Sequence, residues 1–462
     1  MCGILALFCK NNEKNIYNQT IEHLQLLQHR GEDGYGIAFS NNIFFRESGT
    51  VKHDKNFINI QANASIAQTR YSTSGKSMIQ LQNLEVEQQP LIGVVNKEPY
   101  YLVHNGNIPG VKEHDTKFIV DSINSLTHLP FEERLIYFIN NVSASYAIII
   151  LYKNNLYAMR DCYGVRPMCI GINDDTYCIS SESYGLGKLH FLKDIQPGEI
   201  IKIDKSGLKH IYLNNSKPHS LCTFEILYFA NENSIIDGYH IKNIRKNLAI
   251  TLAKKDKDNL KDCIVIGIPK TGILLGKEYA KYLNLDYRQW INKNPDVDRT
   301  FILKNDEERI KACNKKFIYD KNFLKNKNVI LIDDTIVRGS VITSVISNLK
   351  NIGVKNIHVR IPAPPVIDIC VFGIAIQDKK ELIMNKRTTI EVCNKIGATT
   401  LKYLELDDIC KLLPRNTYNH CFSKYFDYNM FVNKLKDSQY KIKTISSISN
   451  DFHTQGKLQM LS

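Results

Sequence analysis

One stretch constrains the fold of this chain more than any other: residues 329–340, which read VILIDDTIVRGS. Four apolar residues predict a short buried strand, and two carboxylates, Asp333 and Asp334, stand where that strand ends. A loop with Gly339 follows, and apolar residues then recur at helical spacing up to Gly353, which can end a helix. Ligands of open α/β sheets bind at the carboxyl ends of strands, and a helix N-terminus can hold a phosphate. The stretch therefore predicts a cradle for a ribose 5-phosphate, with the sugar diol on the carboxylates and the phosphate on the loop.

The complete pattern is more specific than a buried strand followed by a surface turn, which is the plain alternative. It resembles the signature of type I phosphoribosyltransferases, which use 5-phosphoribosyl 1-pyrophosphate (PRPP). The resemblance implies an α/β domain with a Rossmann-like parallel sheet. It also implies that PRPP is bound by the cradle loop, which comprises Asp333, Asp334, Thr335, Val337, Arg338, Gly339 and Ser340.

The length and the composition suit a chain of several domains that acts on small molecules. At 462 residues we expect at least two domains, and 43% apolar residues suffice for their cores. No apolar run reaches the length of a membrane span, and no signal region precedes Cys2, so we expect a cytoplasmic protein that does not enter membranes. The 12 cysteines are scattered, which fits a reducing compartment.

The net charge of +13 has two interpretations. Nucleic-acid binding is one of them. We disfavour it because lysine is spread along the chain and no nucleic-acid motif occurs, whereas a site for polyanionic small molecules needs only a few of these charges.

Cys2 is the most informative residue of the first half. Removal of Met1 would leave Cys2 with a free α-amino group, whose pKa near ~8 lets it take the thiol proton. A terminal thiol would thus carry its own general base. An early cysteine without any role is the alternative, and the motifs that follow decide between the two.

Arg70, the run His104-Asn105-Gly106-Asn107 and Asp115 follow Cys2 in order. Together they resemble the glutaminase domain of N-terminal-nucleophile class II amidotransferases over roughly the first 200 residues. The resemblance implies an α+β domain with αββα layers. It implies that the Cys2 thiolate attacks the glutamine carboxamide, and that Asn105 and the Gly106 N–H hold the oxyanion. Arg70 would bind the carboxylate of glutamine and Asp115 its ammonium group.

The second half continues the resemblance. The run 222–230 and the turn 269–272 are similar to the amidophosphoribosyltransferase family, in which the turn receives pyrophosphate. On that resemblance Thr271 joins Asp333 and Asp334 in holding Mg²⁺, and Lys293 and Arg299 belong to a mobile loop that closes over PRPP. We expect a glutaminase domain at 2–225, a phosphoribosyltransferase domain at 226–430 and a tail at 431–462.

The chain departs from the family pattern at three positions. Gln68 stands where the family has a histidine, Asn231 replaces an arginine, and Ala375 replaces an aspartate. One branch of the family also carries a [4Fe–4S] cluster on four cysteines. Cys222, Cys370 and Cys421 fall near three such places but Tyr418 stands at the fourth, so the sequence disfavours a cluster, which normally needs four thiolates.

The resemblance implies that PRPP, glutamine and water yield 5-phosphoribosylamine, glutamate and pyrophosphate, the first committed step of purine synthesis, with ammonia channelled between two sites. It implies homodimers or homotetramers and inhibition by purine nucleotides. Two alternatives remain. A non-catalytic PRPP sensor would explain the three departures, but the residues expected at both sites are retained: Cys2, Arg70, Asn105, Asp115, Asp333, Asp334 and Arg338. A glutaminase with another acceptor would explain the first half alone, and the cradle loop argues against it. PRPP-dependent glutamate release separates all three.

Overall fold

The computed structural model describes most of the chain, in ten stretches: residues 2–10, 16–57, 59–71, 88–109, 111, 114–294, 316–370, 372, 378–413 and 417–423. Arg299, Ala375 and the expected tail at 431–462 lie outside these residues. Within the described residues, no helix is long and apolar enough to cross a membrane.

Among its described residues, the first half contains thirteen strands and three α-helices. The strands are Gly3–Cys9 (β1), Gly34–Phe39 (β2), Phe44–Ser48 (β3), Ala64–Arg70 (β4), Leu91–Val95 (β5), Glu98–Asn107 (β6), Ser145–Tyr152 (β7), Asn155–Arg160 (β8), Cys169–Ile172 (β9), Thr176–Ser180 (β10), His190–Asp194 (β11), Glu199–Asp204 (β12) and Gly207–Leu213 (β13). The helices are Ile16–Leu26 (α1), Asp115–Ser125 (α2) and Phe131–Asn141 (α3). Short 3₁₀ turns span Gln28–Arg30, Lys55–Phe57 and Ser183–Leu186.

These strands form two stacked antiparallel sheets, ordered β11-β9-β10-β1-β4-β2-β3 and β13-β12-β8-β7-β6-β5. Strand β1 shows how side chains that alternate between the two faces of a sheet hold the layers together. Ile4, Ala6 and Phe8 pack in the core shared with the second sheet, which includes Val103 and Ile149. The residues between them, such as Leu5 and Leu7, pack against α1 on the other face, because successive side chains of a strand point to opposite faces. Helices α2 and α3 cover the outer face of the second sheet, which completes four αββα layers.

In the described part of the second half there are nine strands and six α-helices. The strands are Ile235–Ile236 (β14), Tyr239–His240 (β15), Cys263–Gly267 (β16), Asp286–Tyr287 (β17), Ile291–Lys293 (β18), Phe317–Tyr319 (β19), Asn328–Ile332 (β20), Asn356–Ile361 (β21) and Thr400–Tyr403 (β22). The helices are Ile241–Lys255 (α4), Gly272–Leu283 (α5), Lys321–Leu324 (α6), Ser340–Ile352 (α7), Thr389–Ile396 (α8) and Leu406–Leu412 (α9). A π-helical turn spans Glu225–Phe229, and 3₁₀ turns span Lys379–Glu381 and His420–Phe422.

Five of these strands form a parallel sheet ordered β17-β16-β20-β21-β22, with β20 in the centre. The two-stranded pairs β14-β15 and β18-β19 lie outside it. The central position of β20 explains its four consecutive apolar residues, since both faces of a central parallel strand are covered. The predicted fold class is therefore confirmed in both halves.

The strand and the helix predicted from residues 329–353 are also confirmed, as β20 and α7. Gly353 adopts φ 94° beyond the last residue of α7, and its N–H bonds back to the helix. The first helix of the chain, α1, ends at Leu26. The chain then tightens into the 3₁₀ turn that ends with Arg30, a residue with a role in the site described next.

Candidate active sites

Cys2 lies directly before β1, half-buried, and its backbone is held by two long-range contacts. Its backbone N–H donates to Asn105 Oδ1 over 3.3 Å, and its carbonyl accepts from Arg30 Nε over 3.2 Å. The next residue, Gly3, pairs with Thr69 across the sheet, so Arg70 at the end of β4 comes to lie beside Cys2. The structure thus brings Cys2, Arg70 and Asn105 together.

Asn105 is buried on β6, and its side-chain amide has a defined orientation. Because the amide oxygen accepts from Cys2, the amide nitrogen Nδ2 must face elsewhere. Within the part of the chain that the structure describes, this buried nitrogen has no hydrogen-bond partner. An unsatisfied buried donor carries a free-energy cost of about 1–3 kcal/mol, which an incoming anion could remove.

Gly106 follows at a point where no side chain fits. A Cβ there would lie 2.0 Å from the Ser145 carbonyl oxygen and 2.7 Å from Tyr146 Cα. The backbone of β6 therefore approaches β7 more closely than any other residue type allows.

Asp115 begins α2, and its Oδ1 accepts from the Thr116 N–H over 2.8 Å. The same oxygen lies 3.9 Å from Nδ1 of His104, the residue that precedes Asn105. Burial lowers the pKa of His104, which favours a neutral imidazole. Asp115 thus lies next to β6, beside the residue that precedes Asn105. We call the five residues predicted for this site, Cys2, Arg70, Asn105, Gly106 and Asp115, the nucleophile pocket.

The departure at Gln68 has a structural explanation. Its buried Nε2 donates to the His104 carbonyl over 2.7 Å, which ties β4 to β6 directly behind Asn105. Gln68 therefore supports the nucleophile pocket without entering it.

The two carboxylates of the cradle loop stand at the carboxyl edge of the central strand. The Thr271 hydroxyl donates to Asp334 Oδ1 over 3.2 Å, so the turn before α5 contacts the acidic pair. Burial, followed by the adjacent charge of Asp334, raises the pKa of Asp333 well above its usual range. A ligand with hydroxyl or cationic groups would relieve that repulsion between carboxylates.

The turn before α5 approaches β20 as closely as backbone allows. A Cβ on Gly272 would lie 2.4 Å from the Ile332 carbonyl oxygen, and the Ile268 N–H donates to that same oxygen over 2.8 Å. Glycine at this position is therefore required for Thr271 to reach Asp334.

The rest of the cradle loop leads into α7. The Thr335 hydroxyl donates to Asp334 Oδ2 over 3.2 Å, and the Val337 carbonyl accepts from the Ile383 N–H over 2.9 Å. Gly339 precedes the helix with φ 81°, and a Cβ there would meet the Ile383 side chain. Ser340, exposed, is the first residue of α7, so the loop ends at a helix N-terminus as predicted.

Two cationic side chains, those of Arg338 and Lys293, were also predicted for this site. Arg338 is exposed and forms an ion pair with Glu381 on a neighbouring 3₁₀ turn. Lys293 ends β18, which pairs with β19, and it is half-buried. Arg299, the other residue predicted for the mobile loop, lies outside the described residues.

Two tyrosines that the sequence did not single out, Tyr71 and Tyr228, interact with charged groups of the cradle loop. Tyr71 follows Arg70, is half exposed, and lies within electrostatic range of Arg338. Tyr228, on the π-helical turn, is half exposed and lies within range of Asp334, Tyr71 and Asp333, in that order of strength. Their positions could not be found from local pattern, because each tyrosine is defined by contacts with the other half of the chain.

The cysteines considered for a cluster also come together. Cys222 forms a parallel bridge with Tyr418, and Cys370 and Cys421 both interact electrostatically with that tyrosine. The Tyr418 ring packs against Phe372 with centroids 5.0 Å apart. Tyr418 thus takes the place of a fourth thiolate. Across the residues that the structure describes, no group of three or more His, Cys, Asp or Glu side chains is arranged to hold a metal ion.

An αββα domain in which Cys2 lies beside Asn105, joined to a parallel sheet with an acidic pair at its carboxyl edge, has the architecture expected of a glutamine amidotransferase joined to a phosphoribosyltransferase. Comparisons with known proteins support this class. Residues 238–396 match the family model described as "Phosphoribosyl transferase domain".

The chain is 31% identical to the amidophosphoribosyltransferase of Methanocaldococcus jannaschii, over 90% of this chain and 95% of that protein. It is 29% identical to the amidophosphoribosyltransferase of Methanothermobacter thermautotrophicus, over 89% and 90%. A solved structure of glutamine PRPP amidotransferase from B. subtilis, complexed with ADP and GMP, superposes with a TM-score of 0.81 at 25% identity, over 92% of this chain and 97% of that one. The chain belongs to the amidophosphoribosyltransferase family, the glutamine-dependent glycosyltransferases of purine biosynthesis.

Proposed function

We propose that this chain converts PRPP, glutamine and water to 5-phosphoribosylamine, glutamate and pyrophosphate by means of two sites that exchange ammonia. The observation that carries this proposal is the pair Tyr71 and Tyr228. Tyr71 belongs to the strand end of the nucleophile pocket yet interacts with Arg338, and Tyr228 interacts with both Tyr71 and Asp334. Ammonia released at Cys2 would pass these two side chains on its way to the cradle loop.

In the proposed glutaminase reaction Cys2, freed of Met1, forms a glutamyl thioester. Its α-amine takes the thiol proton and later returns a proton to the departing ammonia. Asn105 Nδ2 and the Gly106 N–H would hold the oxyanion, which fits the buried, unpartnered state of that nitrogen among the described residues. Arg70 would bind the substrate carboxylate and Asp115 its ammonium group.

In the proposed transferase reaction the cradle loop binds the ribose 5-phosphate, with the diol on Asp333 and Asp334. The phosphate lies on the loop from Thr335 to Ser340, near the N-terminus of α7. Lys293 and Arg299 would contact the pyrophosphate from the neighbouring loop. Ammonia then adds to C1 with inversion as pyrophosphate departs.

Mg²⁺ is the proposed metal of this site. The donors present fit it, because carboxylate and hydroxyl oxygens are hard ligands and Thr271 already contacts Asp334. Thr271, Asp333 and Asp334 would hold the ion, which would neutralise charge on the departing pyrophosphate when bound. The raised pKa of Asp333 supports this assignment, since a divalent cation would favour both carboxylates in their charged forms.

The organisation around the two sites is proposed on the same basis. We retain domains at 2–225 and 226–430, because one continuous apolar core is built mainly from residues after 225. Tyr163, Val165, Leu221, Cys222 and Phe224 join that core from the first domain. Control by purine nucleotides is proposed from the B. subtilis neighbour, which was solved with ADP and GMP. A cytoplasmic homodimer or homotetramer that lacks the iron–sulfur cluster stays a prediction.

One assay series tests the proposed function. Glutamate release is measured with PRPP present or absent, with and without Mg²⁺, and phosphoribosylamine formation is measured with either glutamine or ammonium as the nitrogen source. We expect Cys2→Ala to abolish glutamine use while ammonium-driven synthesis continues, because only the first site needs the thiol. Loss of both activities in a folded variant would refute the division into two sites.

A further inference from the structure

One buried side chain connects the two elements that carry the predicted substrate contacts of the nucleophile pocket, and the reaction described above does not use it. That side chain is Gln89, which directly precedes Pro90 and lies two residues before β5. Gln89 is buried, and both ends of its side-chain amide form hydrogen bonds. A buried amide whose donor and acceptor are both satisfied holds the groups that it contacts in a fixed geometry.

The oxygen end of the Gln89 side chain completes the hydrogen bonding of β6. Strands β5 and β6 pair from Leu91, which lies opposite Leu102, so the backbone of His104 lies beyond the end of β5. Continued by two residues, the same register would place Gln89 opposite His104. It is the side chain of Gln89 that reaches β6 there, because its Oε1 accepts from the His104 N–H over 2.5 Å. A side-chain amide thus takes the place of a neighbouring strand immediately before Asn105.

This contact fixes the part of β6 that carries both expected oxyanion donors. Asn105 follows His104 directly, and the N–H groups of His104 and Gly106 point to the same side, because residues two apart on a strand share a side. The His104 carbonyl is held as well, since Gln68 Nε2 donates to it from β4 over 2.7 Å. Both backbone polar groups of His104 are therefore bound by side-chain amides.

The nitrogen end of the Gln89 side chain reaches α2. Its Nε2 donates to the Thr116 hydroxyl over 2.8 Å. Thr116 is buried in the first turn of α2, and its N–H donates to Asp115 Oδ1 over 2.8 Å. The same hydroxyl lies 3.2 Å from Nδ1 of His104. These contacts connect the carboxylate expected to hold the substrate ammonium to the residue that precedes Asn105.

The backbone of Gln89 is fixed independently of the two elements that its side chain connects. A Cβ on Gly36 of β2 would lie 2.1 Å from the Gln89 carbonyl oxygen, so this backbone packs directly on the first sheet. The Pro90 carbonyl accepts from Arg46 of β3, through Nε over 3.1 Å and Nη2 over 2.6 Å. Gln89 therefore extends from a fixed backbone, and its amide is a rigid spacer between β6 and α2.

The separation between β6 and Asp115 matters because the amide and the α-ammonium group of the substrate are joined by a chain of fixed length. Asparagine carries the same groups as glutamine but is one methylene shorter. That methylene changes the reach of the side chain by about 1 Å, and a misplacement of that size can cost about 10²-fold in rate. A pocket whose two contacts are rigidly spaced therefore distinguishes the two amides.

We propose that Gln89 is a positioning residue that sets the distance between the oxyanion donors and Asp115, and that it thereby makes the pocket select glutamine over asparagine. This inference rests on the proposed function. Gln89 acts through the His104 N–H and the Thr116 hydroxyl, and it contacts no reacting atom. When this bridge is cut, the substrate ammonium can shift relative to the Cys2 thiol, so glutamine loses its alignment. Asparagine is affected less, because the intact pocket does not align it.

The test is the ratio of kcat/KM for glutamine to kcat/KM for L-asparagine, measured as release of glutamate and of aspartate. Thr116→Val removes the hydroxyl that Gln89 contacts but keeps the shape of the side chain, and we expect it to lower the ratio by about 10-fold or more. Gln89→Met removes both contacts and should lower the ratio at least as far. Thr116→Ser keeps the hydroxyl and should retain the wild-type ratio.

A second measurement gives the selectivity without turnover. The diazoketone analogues of glutamine and asparagine alkylate Cys2, and the ratio of their inactivation rates should fall in Thr116→Val and Gln89→Met as the ratio of kcat/KM does. Alkylation of Cys2 by iodoacetamide, which has no ammonium group and is followed at the Cys2 peptide by mass spectrometry, should be unchanged in both variants.

The matched control is Tyr100→Phe. The Tyr100 hydroxyl also connects β6 to α2, through the Val120 carbonyl over 3.2 Å and Asn124 Oδ1 over 3.1 Å, but it does so at the opposite end of the helix from Asp115. We expect the wild-type ratio in this variant, because a loss of stability alone lowers both rates together. Thr116→Val is nearly isosteric, and it decides the test if Gln89→Met does not fold.

Two results in the variants would overturn the proposal. One is an unchanged ratio in folded Thr116→Val, and the other is a fall of the same size in Tyr100→Phe or Thr116→Ser. A wild type that hydrolyses both amides equally well would refute this inference and leave the proposed function intact. A wild type that hydrolyses neither amide would refute both together.

Discussion

The orientation of the Asn105 amide leads to a quantitative prediction about catalysis. Its oxygen faces the Cys2 nitrogen, and its buried Nδ2 has no partner among the described residues. A buried donor without a partner costs about 1–3 kcal/mol, and this one would bond to an anion in the transition state. Removing a single oxyanion donor typically costs about 2.7–4 kcal/mol, so we expect Asn105→Ala to lower the glutaminase kcat by about 10²–10³-fold.

The effect should fall on kcat and leave the KM for glutamine nearly unchanged, because the oxyanion exists only after attack. Glutamate release measured by a coupled dehydrogenase gives both constants. Ammonium-driven synthesis of phosphoribosylamine in the same preparation shows that the second site is intact.

Asn105→Asp separates the two roles of this side chain. An aspartate keeps an acceptor for the Cys2 nitrogen but offers no donor, and it adds a negative charge near the oxyanion. If the donor matters, Asn105→Asp should be at least as slow as Asn105→Ala. An active aspartate variant would refute the argument and indicate that the contact with Cys2 is what counts.

Two further predictions concern the cradle loop and the pH dependence of stability. Asp333→Asn combined with Asp334→Asn should abolish PRPP binding, measured by calorimetry with Mg²⁺, and both routes to phosphoribosylamine, while glutamine hydrolysis without PRPP persists; unchanged PRPP affinity would count against the cradle. Burial raises the pKa of Asp161 to about 6, despite Arg160 and three backbone N–H groups. The folded state therefore binds this proton more tightly than the unfolded chain, whose pKa is near ~3.9, so the contribution of Asp161 to stability falls by about 3 kcal/mol as pH rises from ~4 through ~6. The difference in unfolding free energy between wild type and Asp161→Asn should follow this trend in denaturant titrations across that range, and a pH-independent difference would contradict it.

Residues 329–340 illustrate how much of the fold local sequence patterns predict. Four apolar residues, an acidic pair and a glycine that precedes a helix predicted β20, the cradle loop and α7, because each signal acts within a few residues of the chain. The same holds for Gly353 as the end of α7. The order of Cys2, Arg70, Asn105 and Asp115 identified the nucleophile pocket through family resemblance, without any information on distance.

Other features of the sites depend on contacts that no local pattern contains. Glu225 is the acidic residue of the run 222–230, and nothing in that run identifies its buried partners. The structure shows that these partners are Arg30 and Arg166. Gln68 stood out as a departure from the family pattern, and the structure shows that it is buried and donates to the His104 carbonyl. Tyr418 looked like a missing ligand, and it is an aromatic core residue packed on Phe372.

By itself, the sequence predicted the elements of residues 329–353, because hydrophobic period and turn chemistry are local properties of the chain. Through family resemblance, motif order predicted the layers and the membership of each site. Only the tertiary structure decided which way the Asn105 amide points and that Arg30 bridges Cys2 to Glu225. The physical reason is distance along the chain: Cys2 and Asn105 are 103 residues apart, and their hydrogen bond exists only because two sheets pack face to face. Backbone propensities act over a few residues, whereas the free energy of a buried charge or an unpaired donor is set by whichever distant groups the fold places around it.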